Sequence, residues 1–303
     1  MPFFSDKFET YVYGSTISGN HITTKKLKSF LFSKNKTIVH CHRNNEILRM
    51  LFYRFLGAKF TLVATRHAES KPSSLTLFLL KKADKVVTLI NSMSANLGIK
   101  NTSVGHGIQV DKFKPNTVKK LQHISQDHII LNAGRVRKAK GQLVLLEALK
   151  NLKEYSNWAL VIVGKVDKPA FLEELKSIAK KHQIENQVYF VDETRDIISY
   201  YQAAKIVVAP SFSEGFSLVT AEAMSCENTV IATKDVGVHS ELITNGKNGY
   251  LFEAGNNNQL EEILIKLLKD EVPMTGEAAR EEIIKNWSAK KEAESLSELY
   301  IKT

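Results

Sequence analysis

The sequence has few cysteines and no long apolar run. Only Cys41 and Cys226 occur among its 303 residues, which is too few for a disulfide framework, and neither stands in a metal-ligand spacing. No apolar stretch approaches the ~18–20 residues that span a bilayer, and the first residues lack the basic segment and apolar run of a secretory signal. We therefore expect a cytoplasmic protein with reduced, buried thiols.

Acidic residues are scarce in the front part of the chain. Residues 1–120 contain 6 Asp and Glu against 20 Lys and Arg, whereas the remaining residues contain 26 against 22. The whole positive surplus of the chain therefore lies in its front part. Such a one-sided surplus favours an anionic partner, either nucleic acid or acidic lipid headgroups, with an ordinary solvated surface as the alternative.

Several common signatures of nucleotide and hydrolase sites are absent from the sequence. It contains no G-x-G-x-x-G fingerprint, no G-x-x-x-x-G-K-[ST] phosphate loop, no Asp-x-Asp pair, no H-E-x-x-H and no G-x-S-x-G. These absences argue against hydride transfer, P-loop ATP hydrolysis, zinc chemistry and serine-hydrolase chemistry. They leave room for phosphate binding of another kind.

Short β-branched runs alternate with amphipathic stretches from about residue 128 onward, which is the pattern of a doubly wound parallel α/β sheet. The front part has a similar but less regular pattern. A chain of 303 residues exceeds the usual size of one hydrophobic core, so two domains are expected. The predicted strands are 10–13, 37–40, 60–64, 85–89, 129–131, 159–163, 188–191, 206–208 and 229–232. The predicted helices are 47–56, 75–82, 143–152, 169–182, 197–203, 218–224, 257–269 and the helical sequence within 277–300.

The predicted domains are 1–113 and 114–285, followed by a C-terminal helix in 286–303, for which a return to the first domain is one option. A linker is expected near Lys114-Pro115-Asn116-Thr117. Parallel sheets of this type bind ligands at the carboxyl ends of their strands. Candidate site residues are therefore expected directly after the predicted strands.

One candidate segment, Ser213 to Glu222, follows the strand that ends near Ala209. If Ser217 caps a helix that begins near Leu218, the free amides of the first turn point at a bound phosphate. Glu214 and Glu222 would flank that anion and accept hydrogen bonds from hydroxyl groups. The alternative is a surface glutamate together with a glutamate that serves the helix dipole.

A second candidate segment, Gly134 to Gly141, follows the first strand of the same domain. It brings Arg135 and Lys140 to the same edge of the sheet, where a planar guanidinium and a compact ammonium group suit a diphosphate. The alternative is a solvated basic loop.

Together these segments resemble the back domain of the retaining glycosyltransferases of the GT-B fold, family 4, also called group 1, and in particular their lipopolysaccharide and capsule branch. The resemblance covers roughly residues 103–270. The matching pattern consists of Gly134-Arg135 with Lys140-Gly141, Pro210-Ser211, Glu214 with seven residues to Glu222, and Asn248-Gly249-Tyr250-Leu251-Phe252.

The resemblance implies two Rossmann-like doubly wound domains that face a cleft, with an acceptor-side domain in front and a donor-binding domain behind. It implies that Arg135 and Lys140 hold the donor diphosphate, that Glu214 holds the donor sugar and that Glu222 holds the ribose. The implied catalytic residues are His67, Arg135, Lys140 and Glu214. The implied donor-binding residues are Gly134, Arg135, Lys140, Glu214, Gly215, Phe216, Ser217, Leu218, Val219 and Glu222.

In the front domain, Val39 to Asn44 and Ala64 to His67 resemble the strand-end segments that face the donor in this family, and Gly105 to Phe113 resembles the crossing into the second domain. His67 matches the cleft histidine of the family, expected to contact the donor sugar near the reacting carbon, with a structural histidine as the alternative. The family's opening strand and glycine-rich loop have no convincing match, since Gly14 to Gly19 is the only glycine-bearing segment there. We expect either an abbreviated front domain or a chain that lacks its beginning.

The predicted function is a glycosyltransferase of the hexosyltransferase type. It would move a sugar, with retention and without a metal or cofactor, from a nucleotide diphosphate sugar to a glycan or lipid-linked glycan acceptor. The basic front domain suggests peripheral attachment to an anionic membrane surface at the inner face of the cytoplasmic membrane. Candidate membrane contacts are Lys25, Lys26, Lys28, Arg49, Phe52, Tyr53 and Arg54. The alternatives are a non-catalytic or truncated sugar-nucleotide-binding protein and a sugar-nucleotide epimerase of the same fold. A nucleic-acid partner is not expected, because no recognition motif is present.

Overall fold

The computed structural model describes residues 2–4, 7–14, 19–116 and 121–302. Ser15 to Ser18 of the glycine-bearing segment and Thr117 of the predicted linker lie outside these residues. The chain forms two compact units: the first comprises Met1–Gly107 and Ala289–Thr303, and the second comprises Ile108–Ser288. These bounds lie a few residues from the predicted ones, after 113 and after 285.

The first unit contains one parallel sheet of four strands in the order β1-β2-β3-β4. Apolar side chains of the sheet and of the helices between its strands form the core of this unit. The strands are β1 (Ile38–Cys41), β2 (Thr61–Arg66), β3 (Lys85–Thr88) and β4 (Thr102–Ser103). The helices are α1 (Thr24–Leu31), α2 (Asn44–Phe55), α3 (Ser74–Lys81) and α4 (Asn91–Asn96).

The second unit contains one parallel sheet of six strands in the order β10-β9-β8-β5-β6-β7. Numbered within this unit, the order is that of a Rossmann sheet, and its direction of winding reverses between β5 and β8. The strands are β5 (His128–Ala133), β6 (Trp158–Val163), β7 (Val188–Val191), β8 (Ile206–Ala209), β9 (Thr229–Thr233) and β10 (Tyr250–Phe252). The helices are α5 (Gln142–Ala148), α6 (Pro169–Lys181), α7 (Ile197–Ala203), α8 (Leu218–Ser225), α9 (His239–Leu242), α10 (Asn257–Leu268) and α11 (Gly276–Asn286).

The last helix, α12 (Ala289–Ile301), belongs to the first unit although it follows the second in the chain. Its Leu299 packs in a small core cluster with Val63, Val87 and Val104 of the front sheet. Tyr300 stacks against Phe4, and its hydroxyl lies 2.5 Å from Nδ1 of His40. The C-terminal segment therefore completes the core of the front unit.

The predicted α/β architecture with two parallel sheets is confirmed, and the front sheet is the smaller of the two. The strands predicted in the second unit are present, because residues such as those of β6 are buried along their whole length and read as continuous apolar runs. The periodicity missed α1, α4, β4, α9 and β10, which are short or polar.

The predicted strand at 10–13 is wrong. Val12 forms only an isolated bridge with His21, and no ladder continues on either side of it. The aromatic side chains that suggest a strand pack elsewhere: the Tyr11 ring lies 5.0 Å from the Phe30 ring, and the Tyr13 hydroxyl lies 3.0 Å from Thr24. Packing on α1 therefore overrides the β-propensity of this segment.

Every helix among the described residues is too short or too polar to cross a bilayer. The two cysteines are free and buried, and burial raises the pKa of each thiol to about 12. Both thiols are therefore protonated and unreactive at neutral pH.

One glycine fixes how the loops after β5 and β8 meet at the reversal point. Gly141 has a left-handed backbone (φ +71°), and a β-carbon at this position would lie 1.9 Å from the carbonyl oxygen of Pro210. A hydrogen bond from the amide of Phe212 to the carbonyl of Ala139 (2.9 Å) joins the same two loops. The loops therefore depend on a residue without a side chain at 141.

We predict that Gly141→Ala is more destabilising than Gly246→Ala. Gly246 has nearly the same φ (+74°) but open space around it, so its substitution reports the backbone cost alone, about 1 kcal/mol. The collision with Pro210 should add about 1–3 kcal/mol for Gly141→Ala. Denaturant unfolding of both variants measures this difference, and equal losses would show that the two loops are not in close contact.

Candidate active site

The loop after β5 begins at Gly134, which adopts φ +126° and allows the chain to turn across the sheet edge. Gly164 packs against it, since a β-carbon at 164 would lie 2.0 Å from the Gly134 carbonyl oxygen. Arg135 extends into solvent with 64% of its side chain exposed, and its guanidinium lies 4.0 Å from Asp167. Arg135 is therefore loosely held and able to turn toward a ligand.

Lys140 ends the same loop and is held differently. Its ammonium nitrogen Nζ lies 2.5 Å from Oε1 of Glu214, and the Ser211 hydroxyl donates to the same oxygen at 2.7 Å. The side chains of Lys140 and Glu214 are only 17% and 12% exposed. The two loops that flank the reversal point thus join a cation from β5 to a carboxylate from β8.

The Glu214 loop is supported from behind by a third loop, which follows β9. Gly237 adopts φ +56°, and a β-carbon there would lie 2.6 Å from the Glu214 Cβ. The Thr233 hydroxyl donates to the carbonyl of Ser211 at 2.7 Å. These contacts fix the position of the carboxylate before any ligand binds.

Helix α8 begins at Leu218, as predicted, but the predicted cap by the Ser217 hydroxyl is wrong. Ser217 is the N-cap residue, yet its hydroxyl pairs with the Thr220 hydroxyl (2.9 Å) and makes no bond to a backbone amide. No acidic residue lies in the first turn. The positive end of the helix therefore keeps amide donors for an anion.

The remaining residues predicted around this helix start are placed as follows. Phe216 is buried, with its ring 5.6 Å from that of Trp287, and Leu218 is 48% exposed. Gly215 and Val219 are half-buried. The Phe216 side chain faces the interior and the Leu218 side chain faces solvent. A single ligand would therefore meet both residues only through their backbone groups.

Glu222 lies in the second turn of α8, which disfavours the alternative that it serves the helix dipole from the first turn. The buried Tyr201 donates its hydroxyl to Oε2 of Glu222 at 3.2 Å. Burial raises the pKa of Glu222 to about 7, while the Tyr201 bond and Lys112 oppose the rise. Sequence reasoning missed Tyr201, because an aromatic residue in a predicted helix is expected to belong to the hydrophobic core.

His67 directly follows β2 and lies in a row of four histidine rings in the front unit. The His40 and His42 rings stack at 4.7 Å, and the His67 and His106 rings stack at 5.3 Å. Nδ1 of His42 lies 2.9 Å from Nε2 of His67. Burial, followed by His42 and His106, lowers the pKa of His67 to about 4, so the ring is neutral at pH 7.

The sequence contained a signal for this row that periodicity did not use. His42 and His67 directly follow β1 and β2 of one parallel sheet, and His106 follows β4. All three therefore come after the carboxyl ends of strands that share one edge of the sheet. Among the described residues, no group of three or more His, Cys, Asp or Glu side chains is arranged to hold a metal ion.

We predict that Glu222→Gln raises the free energy of unfolding above that of the wild type at pH 8, and changes it little at pH 5. A carboxyl whose folded-state pKa lies above its ordinary value of 4.5 must be ionised in a buried place, so the native protein loses stability as the pH rises from 4.5 to about 7. The neutral amide removes this loss and should add about 1–3 kcal/mol at pH 8 and little at pH 5. Urea unfolding at both pH values measures the effect. The exposed Glu173→Gln serves as the control, and an equal gain at both pH values for Glu222→Gln would contradict the prediction.

Residues 113–289 match the family described as Glycosyl transferases group 1. The lipopolysaccharide core biosynthesis mannosyltransferase LpcC of Rhizobium leguminosarum bv. viciae is 26% identical over 277 residues, which cover 88% of this chain and 78% of LpcC. The lipopolysaccharide core biosynthesis mannosyltransferase LpsB of Rhizobium meliloti is 28% identical over 274 residues, which cover 86% and 78%.

Solved structures show the same fold at low identity. The crystal structure of Anabaena Alr3699/HepE in complex with UDP superposes with a TM-score of 0.80 at 20% identity, covering 88% of this chain and 79% of that one. A glycosyltransferase from Rickettsia africae superposes with a TM-score of 0.78 at 24% identity, covering 93% and 84%. Because the family match extends over more than half of the chain, the protein belongs to the glycosyl transferases group 1 family and is a glycosyltransferase with the GT-B fold.

Proposed function

We propose that this glycosyltransferase moves a sugar from a nucleotide diphosphate sugar to a hydroxyl of a growing cell-surface glycan of the lipopolysaccharide or capsule type. The reaction retains the anomeric configuration and uses no metal ion, as expected for family 4. The observation that supports it best is the Lys140–Glu214 pair (2.5 Å) at the reversal point of the second sheet. LpcC and LpsB are named as lipopolysaccharide core mannosyltransferases, so a mannosyl donor is the first to test.

The departing nucleotide diphosphate gathers negative charge as the bond to the sugar breaks. Lys140, Arg135 and the uncapped amides of α8 supply positive charge from three directions of one sheet edge. Charge that is already oriented stabilises such a leaving group without reorganisation. This arrangement supports a metal-independent transfer, in which the departing phosphate oxygen accepts the proton of the acceptor hydroxyl. We assign no general base.

The two glutamates have separate roles in this proposal. Glu214 accepts hydrogen bonds from donor-sugar hydroxyls while Lys140 turns toward the diphosphate. Glu222 accepts hydrogen bonds from the ribose, and its pKa of about 7 makes this contact stronger as the pH rises through neutrality. His67 keeps the role that the resemblance implies, a contact to the donor sugar.

The named relatives are mannosyltransferases, and HepE was solved with UDP. Neither a sugar-nucleotide epimerase nor a non-catalytic binder is therefore favoured. A nucleic-acid partner is not proposed either, because the candidate donor site lies in the unit without a positive surplus.

We also propose that the front unit attaches the enzyme to the anionic inner face of the cytoplasmic membrane, where a lipid-linked acceptor would be found. Lys25, Lys26 and Lys28 on α1 and Arg49 on α2 are exposed. Phe52 and Phe55 of α2 are 58% and 83% exposed. Basic groups beside exposed aromatic rings suit an anionic lipid surface.

Two of the predicted membrane contacts, Tyr53 and Arg54, are not free to contact a membrane. Tyr53 is buried against the Lys28 side chain. Arg54 is held by the Asp84 carboxylate and donates to the Phe60 carbonyl at 2.8 Å. Both residues therefore stabilise the front unit itself.

We predict that Lys140→Ala and Glu214→Ala each lower turnover by about 10²-fold or more, the scale of losing one oriented donor or acceptor. Turnover of a panel of UDP-, GDP-, ADP- and CMP-sugars, with and without EDTA, identifies the donor and measures the loss. Lys138→Ala is the matched control, since Lys138 shares the turn with Lys140 but is 75% exposed and pairs with Glu174. Near-normal turnover of Lys140→Ala, or loss of activity in EDTA, would overturn the assignment.

We predict that the protein sediments with phosphatidylglycerol vesicles at low salt and is released at high salt, because exposed charge attraction is screened. The double variant Phe52→Ser/Phe55→Ser should bind about tenfold more weakly, since each buried ring contributes about 1.5–3 kcal/mol and insertion is partial. Ile284→Ser, an exposed apolar position in the second unit, is the control. If the protein bound neutral vesicles as strongly as phosphatidylglycerol vesicles, the proposal would be refuted.

A further inference from the structure

The His42–His67 hydrogen bond has a consequence for which atom His67 presents to a ligand. The two nitrogens in this bond, Nδ1 of His42 and Nε2 of His67, lie 2.9 Å apart, and one proton must lie between them. If His67 donates, both rings carry their proton on Nε2. If His42 donates, both carry it on Nδ1. The bond therefore couples the tautomers of the two rings.

The position of His42 is itself fixed by its surroundings. The Glu46 carboxylate accepts from the backbone amide of His42 at 2.8 Å and from that of Arg43 at 3.2 Å. The ring of His42 stacks on that of His40 with an angle of 21° between the planes. Backbone and ring are thus both held in the orientation that the bond to His67 requires.

His40 is a rigid support for this stack. Its Nδ1 lies 2.5 Å from the Tyr300 hydroxyl, and its Nε2 lies 2.6 Å from the Thr65 hydroxyl. Burial, with His42 and His67, lowers the pKa of His40 to about 3, so this ring does not titrate in the working range. The support therefore remains neutral and in place.

His106 holds the His67 ring through a second contact. The two rings stack at 5.3 Å with 20° between their planes. His106 lies 3.6 Å from the Glu292 carboxylate, which also accepts from the amide of Gly107 at 3.0 Å. The ring of His67 is thus held by both a hydrogen bond and a stacking contact.

We infer that His42 is a positioning residue that holds the His67 ring through Nε2 and couples the tautomers of the two rings, so that Nδ1 is the ring nitrogen that His67 keeps for a ligand. This inference rests on the proposed function, in which His67 contacts the donor. A histidine free to exchange tautomers would present a donor in some molecules and an acceptor in others. With Nε2 bound to His42, Nδ1 of His67 is a donor only when His42 donates in the bond and an acceptor only when His67 donates.

The same bond affects the protonation of His67. The charged groups that act on the His67 ring are His42 and His106, which disfavour its protonation, and Glu46 and Glu292, which favour it. Arg43 acts on His42. Removing His42 removes a repelling group and exposes the ring, so the pKa of His67 should rise from about 4 toward its ordinary value of 6.5.

Two substitutions separate the bond from the bulk of the ring. The amide of Asn takes the position of the histidine Nδ1, so His42→Asn keeps a partner for His67. The amide of Gln takes the position of Nε2, so His42→Gln retains a polar side chain of similar size but loses that partner. His182→Gln is the matched control, because His182 pairs with Glu147 in the second unit.

The first measurement uses the full-length, ligand-free protein with ¹⁵N-labelled histidine. Imidazole ¹⁵N shifts distinguish a protonated ring nitrogen from an unprotonated one, and His67→Gln assigns the signal. We expect the His42 and His67 tautomers to match in the wild type, and Nε2 of His67 to stay hydrogen-bonded in His42→Asn. We expect an averaged His67 tautomer in His42→Gln, and a higher His67 pKa in both variants because both remove the His42 ring. Unchanged tautomer populations of His67 in His42→Gln, or loss of the Nε2 hydrogen bond in His42→Asn, would overturn the inference.

The second measurement is donor turnover as a function of pH. For His42→Gln we expect kcat/KM to fall about tenfold at pH 7. This loss is smaller than the about 10²-fold loss of rate that follows when a reacting group is misplaced by about 1 Å. We also expect its acid limb to move to higher pH, whereas His42→Asn should restore kcat/KM but not the position of the acid limb. If no donor is turned over by the wild type, the proposed function fails while the NMR result stands. If turnover is normal and His42→Gln leaves the pH profile unchanged, the positioning role fails alone.

Discussion

An ammonium group and a carboxylate held 2.5 Å apart at one edge of a parallel sheet determine much of the second unit. They come from loops after β5 and β8, which are neighbours only because the winding of the sheet reverses between them. Pairs this little exposed contribute little net stability, since desolvation offsets their attraction. Their value to the protein is therefore positional: each charge neutralises the other until a ligand of matching chemistry separates them.

Holding this pair in place constrains residues that never touch a ligand. Gly141 and Gly237 leave no room for side chains, because the Pro210 carbonyl and the Glu214 side chain occupy that space. Ser211 and Thr233 extend the support by hydrogen bonds from one loop to the next. The loops after the three neighbouring strands β5, β8 and β9 thus hold one another in place. Helix α8 begins beside them without a side-chain cap.

Local pattern predicted a larger part of the second unit than of the first. The strands β5, β6, β8 and β9 are buried apolar runs, and the glycines and charged residues of the site follow β5 and β8 directly in the chain. The segment around Val12 has the same β-propensity, but its aromatic rings pack on α1, a contact that periodicity cannot detect. The histidine row and the Tyr201–Glu222 bond depend on residues far apart in the chain, so only the folded structure brings them together. The Ser217 cap was wrong for a subtler reason: a hydroxyl has several partners within reach, and here Thr220 is the one it takes.

The return of α12 to the front unit affects the order in which the protein folds during its synthesis. A ribosome completes the second unit, up to Ser288, before it makes the helix that places Leu299 against Val63 and Tyr300 against His40. The first part of the chain to emerge is therefore the last to acquire its full core. Until α12 has been made, the basic front sheet lacks one of the helices that pack on it, while the second unit already has all six strands of its sheet.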